Sequence, residues 1–316
     1  MRIAVTGATG FLGRHLVDRL RDAGCDVVAI TRGVRDAPAG WENDPHIDAV
    51  QASVTDHEAI RVACTDCDAI GHLAGINYER GDQTYRAVHI RGTRSVIDTA
   101  AATGVDRVLL TSYLRARPDG RSGYFNSKWI AEEIARSGSV TTTILKPAAI
   151  FGQGDQLLTH LAQLIVTARV VPRVGLQDRV IQPVAIEDVV DICNEALCHE
   201  RFADQTVAVV GPERVETGTL IRRVGTAIGR RAVVLPAPVL GQYGVAAISE
   251  RVFDPPLVTT AGVRMLAEGM TEPAPPDVCT PLPASDRPTQ APDVAYLEQA
   301  IEDVKRLGIG DLRGFE

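Results

Sequence analysis

The chain carries 316 residues, of which 45% are hydrophobic and 23% charged, enough for one large α/β domain or two lobes around a real core. Lys+Arg 33 against Asp+Glu 40 leaves a formal charge of −7, which excludes the broad basic footprint of a general nucleic-acid binder. Mean hydropathy is +0.02, and no run nears the roughly 20 apolar residues of a bilayer span, so a spanning helix is excluded.

In chain order, a β-branched run predicts a strand over 2–6, followed by an amphipathic helix over 11–23 carrying Leu12, Leu16, Val17 and Leu20. Strands are predicted at 27–31 and 49–52, a helix at 56–64, a strand at 69–73 and a long helix at 84–103. A strand at 107–111, a helix at 125–136 and a strand at 141–145 continue the rhythm. Such alternation predicts an α/β fold, a Rossmann-type doubly wound parallel sheet with helices on both faces. Nothing at the start has the apolar core of a leader, and six dispersed cysteines are too few for a disulfide scaffold. A cytoplasmic setting with reduced thiols is expected. Cys64 and Cys67 form a lone CxxC without a second pair or a nearby His, so ordinary thiols are expected there, and no metal site.

Beyond Pro147 the pattern loosens, with helices predicted at 157–168, 186–198 and 219–228 and strands at 179–184 and 206–210. Seven prolines between Pro273 and Pro292 mark a wrapping or mobile segment, and a last amphipathic helix is predicted over 293–306. The expected division is a dinucleotide-binding domain over 1–150, with parts of 178–212 returning to it, and a smaller substrate lobe over 151–316.

Gly7-Ala8-Thr9-Gly10-Phe11-Leu12-Gly13 closes the first strand and opens the first helix, the context a dinucleotide fingerprint needs. Gly7 permits the tight turn, Gly10 lets backbone approach a pyrophosphate, and Gly13 allows close helix–strand packing. The helix N-terminus offers free N–H groups and a positive dipole end. The spacing is GxxGxxG rather than GxGxxG. The second strand ends Ala29-Ile30-Thr31-Arg32, without the acid that would hold a ribose 2′-hydroxyl. Arg32 can instead make charge-assisted hydrogen bonds to a 2′-phosphate, with Arg14 and Arg35 to assist. NADP(H) is therefore favoured and NAD(H) is the alternative; the competing view of Arg32 is a solvated surface arginine.

Tyr124 and Lys128 stand four residues apart on one predicted helix face. The ammonium is expected to lower the phenol pKa from about 10, suiting Tyr124 to exchange a proton with a carbonyl or alcohol as hydride moves. A Tyr and a Lys at this spacing occur by chance in many helices, and the glycine turn upstream is what makes the pair informative.

Residues 6–13 (TGATGFLG), His72-Leu73-Ala74-Gly75, Gly92-Thr93, Tyr124/Lys128, residues 146–152 (KPAAIFG) and residues 182–189 together resemble the short-chain dehydrogenases/reductases, extended or atypical branch. The resemblance extends to the subgroup of the complex I nucleotide-binding accessory subunit and the NAD-dependent epimerase/dehydratase-like proteins. It implies that Gly7, Thr9, Gly10, Phe11, Leu12 and Gly13 cradle the cofactor. It further implies that Leu73, Ala74 and Gly75 line it, that Lys128 holds ribose hydroxyls, and that Pro147 flanks the nicotinamide. Ser53, beside Val54, stands where many relatives place an adenine-contacting Asp.

Two positions depart from the family pattern. At the end of the fifth strand Tyr113 falls on the usual catalytic hydroxyl position and Ser112 one residue before it. Either Ser112 serves, or the tyrosine hydroxyl does, or the third group is absent. His89 replaces a helix Asn and is expected to be an ordinary hydrogen-bonded histidine. His15 is expected on the helix surface, Tyr78, Glu79 and Arg80 in a substrate-facing or solvated loop, Arg115 and Arg117 near an anionic group, and Asp155 closing a turn.

The function expected is NADP(H)-dependent hydride transfer on a small carbonyl or alcohol, with Tyr124 as acid/base, Lys128 its electrostatic partner and Ser112 orienting the substrate oxygen. The alternatives are a non-catalytic NADPH-binding structural or sensing subunit, and a nucleotide-sugar epimerase/dehydratase. A homodimer and association with a larger complex are both open.

Overall fold

The computed structural model describes residues 1–33, 37–253 and 256–301. The first half runs β1 (Arg2–Thr6), α1 (Phe11–Asp22), β2 (Asp26–Thr31), β3 (Ile47–Gln51), α2 (His57–Ala63), β4 (Ala69–His72), α3 (Gly92–Thr103), β5 (Arg107–Thr111), α4 (Gly123–Arg136) and β6 (Thr141–Pro147). β7 (Ile150–Phe151), α5 (Gln156–Ala168), β8 (Val170–Val174), β9 (Val180–Ile181), β10 (Val184–Ala185), α6 (Ile186–Cys198) and β11 (Thr206–Val209) follow. β12 (Val215–Glu216), α7 (Thr217–Ala227), β13 (Val233–Ala237), α8 (Val239–Val252), α9 (Thr260–Glu268) and α10 (Val294–Ala300) complete the described elements.

Seven strands form one sheet in the order β11-β6-β5-β4-β1-β2-β3, and every neighbouring pair is parallel. Helices cover both faces of such a sheet, so its inner strands are buried almost throughout rather than alternating, while the edge strand β3 is only partly buried. Ile3, Val28, Ile30, Ile70, Leu109, Ile144 and Leu145 are accordingly buried. The strand order reverses beside β1, which lies between β4 and β2. A crevice opens at the carboxyl ends of the strands at such a reversal.

The long helix predicted over 84–103 is not uniform. Its first part, Arg86–Arg91, is a π-helical turn that leads into α3, a local widening often found at functional sites. The strand predicted over 179–184 is interrupted as well. Pro183 has no N–H to give a ladder, and the run resolves into β9 and β10.

The chain forms two compact units. The first comprises Met1–Pro147, Glu187–Val209 and Glu272–Arg287. In it β11 pairs with β6, and the proline-rich segment is tied down by Ala274 N–H donating to Leu114 O (3.0 Å) and Thr280 N–H to Thr206 O (2.7 Å). The second comprises the described residues of Ala148–Ile186 and Val210–Thr271 and those from Pro288 to 301. Its described residues form three two-stranded sheets, β10-β7, β12-β9 and β13-β8, with a core that includes Leu158, Ile165, Val171, Ile181 and Val224. α10 is capped by Asp293, whose carboxylate accepts from Tyr296 N–H at 2.8 Å; positions 302–306 of the helix predicted there lie outside the described residues. None of the described helices is long and apolar enough to cross a membrane.

Candidate active site

The glycine turn is built from contacts that only hydrogen fits. Gly7 has φ +71°, and a Cβ on it would lie 2.8 Å from Ala74 N. A Cβ on Gly13 would lie 2.1 Å from Gly7 O, so α1 could not approach the turn so closely. Gly10 N–H donates to Gly7 O (3.0 Å), and Gly10 caps α1 without any side-chain acceptor. The first amides of α1 thus keep donors for a ligand anion.

In front of the turn lies a cleft of ≈ 370 Å³. Gly7, Thr9 and Gly10 form one wall, Thr31 and Arg32 a second, Ala52 and Val54 a third, and Leu73, Ala74 and Gly75 the floor toward β4. Arg32 is the single charged side chain among the described lining residues, and it is exposed. Thr9 Oγ1 and Thr31 Oγ1 share a hydrogen bond of 3.1 Å across the turn. The predicted set is only partly gathered here. Ser53 directs its hydroxyl to Thr55 Oγ1 (2.8 Å) instead. Phe11, Leu12, Gly13, Lys128 and Pro147 also lie outside the lining. Gly13 acts through packing, and Arg14 places its guanidinium over the Phe11 ring, 5.8 Å from the centroid. Arg35 lies outside the described residues.

Beyond Gly75 stands the buried face of α4. A Cβ on Gly75 would sit 3.2 Å from Lys128 Nζ and 3.6 Å from His89 Nε2, so this glycine keeps the cleft in touch with the Tyr124–Lys128 pair. Lys128 Nζ donates to Thr111 O (3.1 Å). Burial lowers the Lys128 pKa to about 8 against the opposing pull of Glu132. The lowered tyrosine pKa expected from the Tyr/Lys spacing does not appear. Burial, with Tyr85 adding to it, pushes the Tyr124 phenol above its ordinary value, because desolvation penalises phenolate and ammonium alike.

Ser112 also departs from its expected place. Its Oγ donates to Glu132 Oε1 at 2.5 Å. That carboxylate accepts in addition from Lys146 Nζ (2.8 Å) and from Arg136 Nη2 (2.7 Å), with Glu132 and Lys146 side chains both fully buried. Side chains alternate along an extended chain, and Tyr113 turns the other way, with its ring 5.8 Å from that of Tyr124 and stacked on Phe125.

His89 is a hydrogen-bonded structural histidine. Its Nε2 accepts from Ile76 N–H (3.1 Å), which leaves the ring proton on Nδ1 for Ser127 Oγ (2.8 Å). Ser127 in turn donates to Tyr124 O (2.9 Å). Burial and the Lys128 charge hold His89 well below the ordinary histidine range.

Residues 7–163 match a family model described as NAD(P)H-binding. The chain is 29% identical over 249 residues to the mitochondrial NADH-ubiquinone oxidoreductase 40 kDa subunit of Neurospora crassa, covering 75% of this chain and 63% of that protein. It is 32% identical over 178 residues to the ceramide reductase of Caulobacter vibrioides, covering 56% and 55%. A solved nucleoside-diphosphate-sugar epimerase from Staphylococcus aureus superposes with a TM-score of 0.74 at 16% identity, over 94% of this chain and 100% of that one. Residues 7–163 thus carry the pattern of the NAD(P)H-binding family, and the likeness to the epimerase is one of fold. The chain spans less than two thirds of the length of these two curated relatives.

Within the family frame, several residues that sequence reasoning did not reach now stand at the site. Tyr85 stacks on His89 (centroids 5.4 Å) and meets Tyr124 edge-on at 5.7 Å. With six Tyr, six Phe and two Trp in the whole chain, a cluster of Tyr85, Tyr113, Tyr124 and Phe125 is a concentration that aromatic scarcity alone could have flagged. Glu132 was visible in principle too, eight residues after Tyr124 and on the same helix face. The loop after β4 is pinned rather than free, since Glu79 accepts from Tyr85 N–H (2.7 Å) and Tyr85 donates to Asn77 O (2.9 Å). Arg117 pairs with Asp119 (3.2 Å) and lies over Phe125, while Arg115 donates to Glu272 O (3.4 Å). Asp155 caps α5 by accepting from Leu157 and Leu158 N–H, and burial raises its pKa to about 6.

Proposed function

We propose that this chain is an NADP(H)-preferring oxidoreductase acting on a small carbonyl or alcohol, with Tyr124 as acid/base and Lys128 as its electrostatic partner. The observation that carries this reading is the meeting, at Gly75, of the glycine-turn cleft with the buried Tyr124–Lys128 face. NADP(H), when bound, supplies or accepts the hydride. Gly7, Thr9, Gly10, Arg32, Val54, Leu73, Ala74 and Gly75 form its cradle, with the α1 amides toward the pyrophosphate. A phenol with a raised pKa stays protonated at neutral pH, the form that gives a proton to a carbonyl oxygen during reduction. Lys128, protonated below about pH 8, favours the phenolate left behind and offers donors to ribose hydroxyls. Glu132, itself held by Lys146, takes up the Ser112 hydroxyl, which supports a site that works through Tyr124 with Tyr113 beside it rather than through Ser112.

Replacing Tyr124 by Phe should leave NADPH binding intact and reduce turnover of an accepted carbonyl by at least about 100-fold. Turnover that persists in this variant would remove Tyr124 from the chemistry. Arg32 carries the cofactor preference as the cleft's single charged described side chain. In Arg32→Ala, fluorescence titration should read NADPH binding weakened about tenfold to a hundredfold with NADH nearly unchanged. Equal losses for both nucleotides would leave no basis for the preference.

A second reading is supported by the same Ser112–Glu132 bond. A chain that binds NADPH with little turnover would serve within a larger assembly, as the name of the Neurospora relative suggests. It predicts copurifying, slowly exchanging nucleotide and no Tyr124-dependent rate across a carbonyl panel.

A further inference from the structure

Ten large apolar side chains stand exposed among the described residues, and eight of them fall between Val170 and Ile248. They are not scattered. In the two-stranded sheet β8 and β13, Val170 sits opposite Val233 and Pro172 opposite Leu235. These four are exposed, whereas the alternate residues Val171 and Arg173 are buried. One face of this small sheet is therefore apolar and uncovered. The next element, α8, turns only some of its apolar residues inward, with Ala246 buried and Val239 and Tyr243 packed against Val174 and Val263. It buries Gln242 and Ser249 while exposing Val245, Ile248 and Leu240, the last of them 86% accessible. At 100° per residue, Leu240, Gly241, Gly244, Val245 and Ile248 share an arc of about 140° without any acid. Apolar surface concentrated in this way marks an interaction site.

The charge around it narrows the partner. Val233 N–H donates to Arg169 O at 2.8 Å, so Arg169 stands at the end of β13 that Arg230 and Arg231 lead into. All three are exposed, and none forms an ion pair with an acid among the described residues. Arg251, also exposed, lies toward the far end of the α8 arc. Residues 217–252 contain five Arg and one Glu in a chain whose net charge is −7. An isologous pairing of two copies would bring two such positive rims together, which disfavours self-association through this face.

We infer that this face docks on an anionic lipid bilayer. Leu235, Leu240, Val245 and Ile248 enter the boundary between headgroups and acyl chains, and the arginines meet lipid phosphates. The test is co-sedimentation of the full chain with phosphatidylcholine vesicles, with and without phosphatidylglycerol. The chain should pellet with the mixed vesicles, not with phosphatidylcholine alone, and be released by salt. Leu235→Ser/Leu240→Ser and Arg230→Ser/Arg231→Ser should each weaken binding about tenfold or more, with circular dichroism and NADPH titration unchanged as the check on folding. Failure to pellet with the anionic vesicles, or binding indifferent to both double variants, overturns the proposal. So does light scattering that finds a dimer dissociated by Leu235→Ser/Leu240→Ser.

Discussion

His72 closes β4 with its ring held between two hydroxyls, Thr6 Oγ1 at 2.7 Å and Thr93 Oγ1 at 3.1 Å. Burial, with the Lys128 charge adding to it, lowers its pKa to about 3 from the ordinary 6.5. Between those two values the unfolded chain takes up a proton that the folded chain refuses. Stability therefore rises with pH across that window and is lost as pH falls through it, with a slope of up to about 1.4 kcal/mol per pH unit for each such group. His72→Gln should flatten the acid limb of the denaturation free energy between about pH 3 and 6.5; a limb as steep as before would place the proton uptake elsewhere. At this scale local spacing was enough to put Tyr124 and Lys128 on one helix face, but not to show the burial that raises the phenol's pKa. The sequence was not legible where a partner comes from another element. Nothing in Leu110-Thr111-Ser112-Tyr113 says that Glu132 and Lys146 lie on the Ser112 side, so the choice between the two hydroxyls depended on tertiary contacts.

At the scale of elements, the glycine turn and α1 offer a contrast between two glycines. A Cβ on Gly13 would overlap Gly7 O at 2.1 Å, a backbone atom that cannot yield, whereas nothing lies within 4 Å of a Cβ on Gly24, which needs only its positive φ. Gly13→Ala should cost several times the roughly 1 kcal/mol expected of Gly24→Ala, and should abolish NADPH binding that Gly24→Ala preserves. Urea denaturation and nucleotide titration of the two variants measure this directly; similar losses in both would mean that α1 shifts to accept the methyl. The strands of the large sheet were legible because parallel strands buried on both faces read as unbroken apolar runs. β8 and β13 were not, because Pro172 and Pro236 interrupt them, which a two-stranded sheet tolerates at its edges. α8 escaped for another reason, since its apolar residues divide between a buried side and an exposed arc and no single stripe points to a core.

For the whole molecule, the feature with the widest reach is that the first unit is assembled from three separated stretches of chain. A fragment ending at Pro147 would lack β11, leaving β6 as an open edge, and would lack Ala274, whose carbonyl accepts from the buried Lys146 ammonium at 3.1 Å. Such an edge recruits other strands. The fragment 1–147 should therefore be aggregation-prone when expressed alone, and extension to residue 287 should restore a monodisperse, NADPH-binding species by size exclusion. A well-behaved 1–147 fragment would show that β11 is dispensable. Time enters here as well. A ribosome adding about 5–20 residues per second takes roughly three to twelve seconds to pass from the end of β6 to the end of β11. Throughout that interval six strands wait with one margin unsealed, so the nascent chain, more than the finished protein, is the form in greatest need of a chaperone.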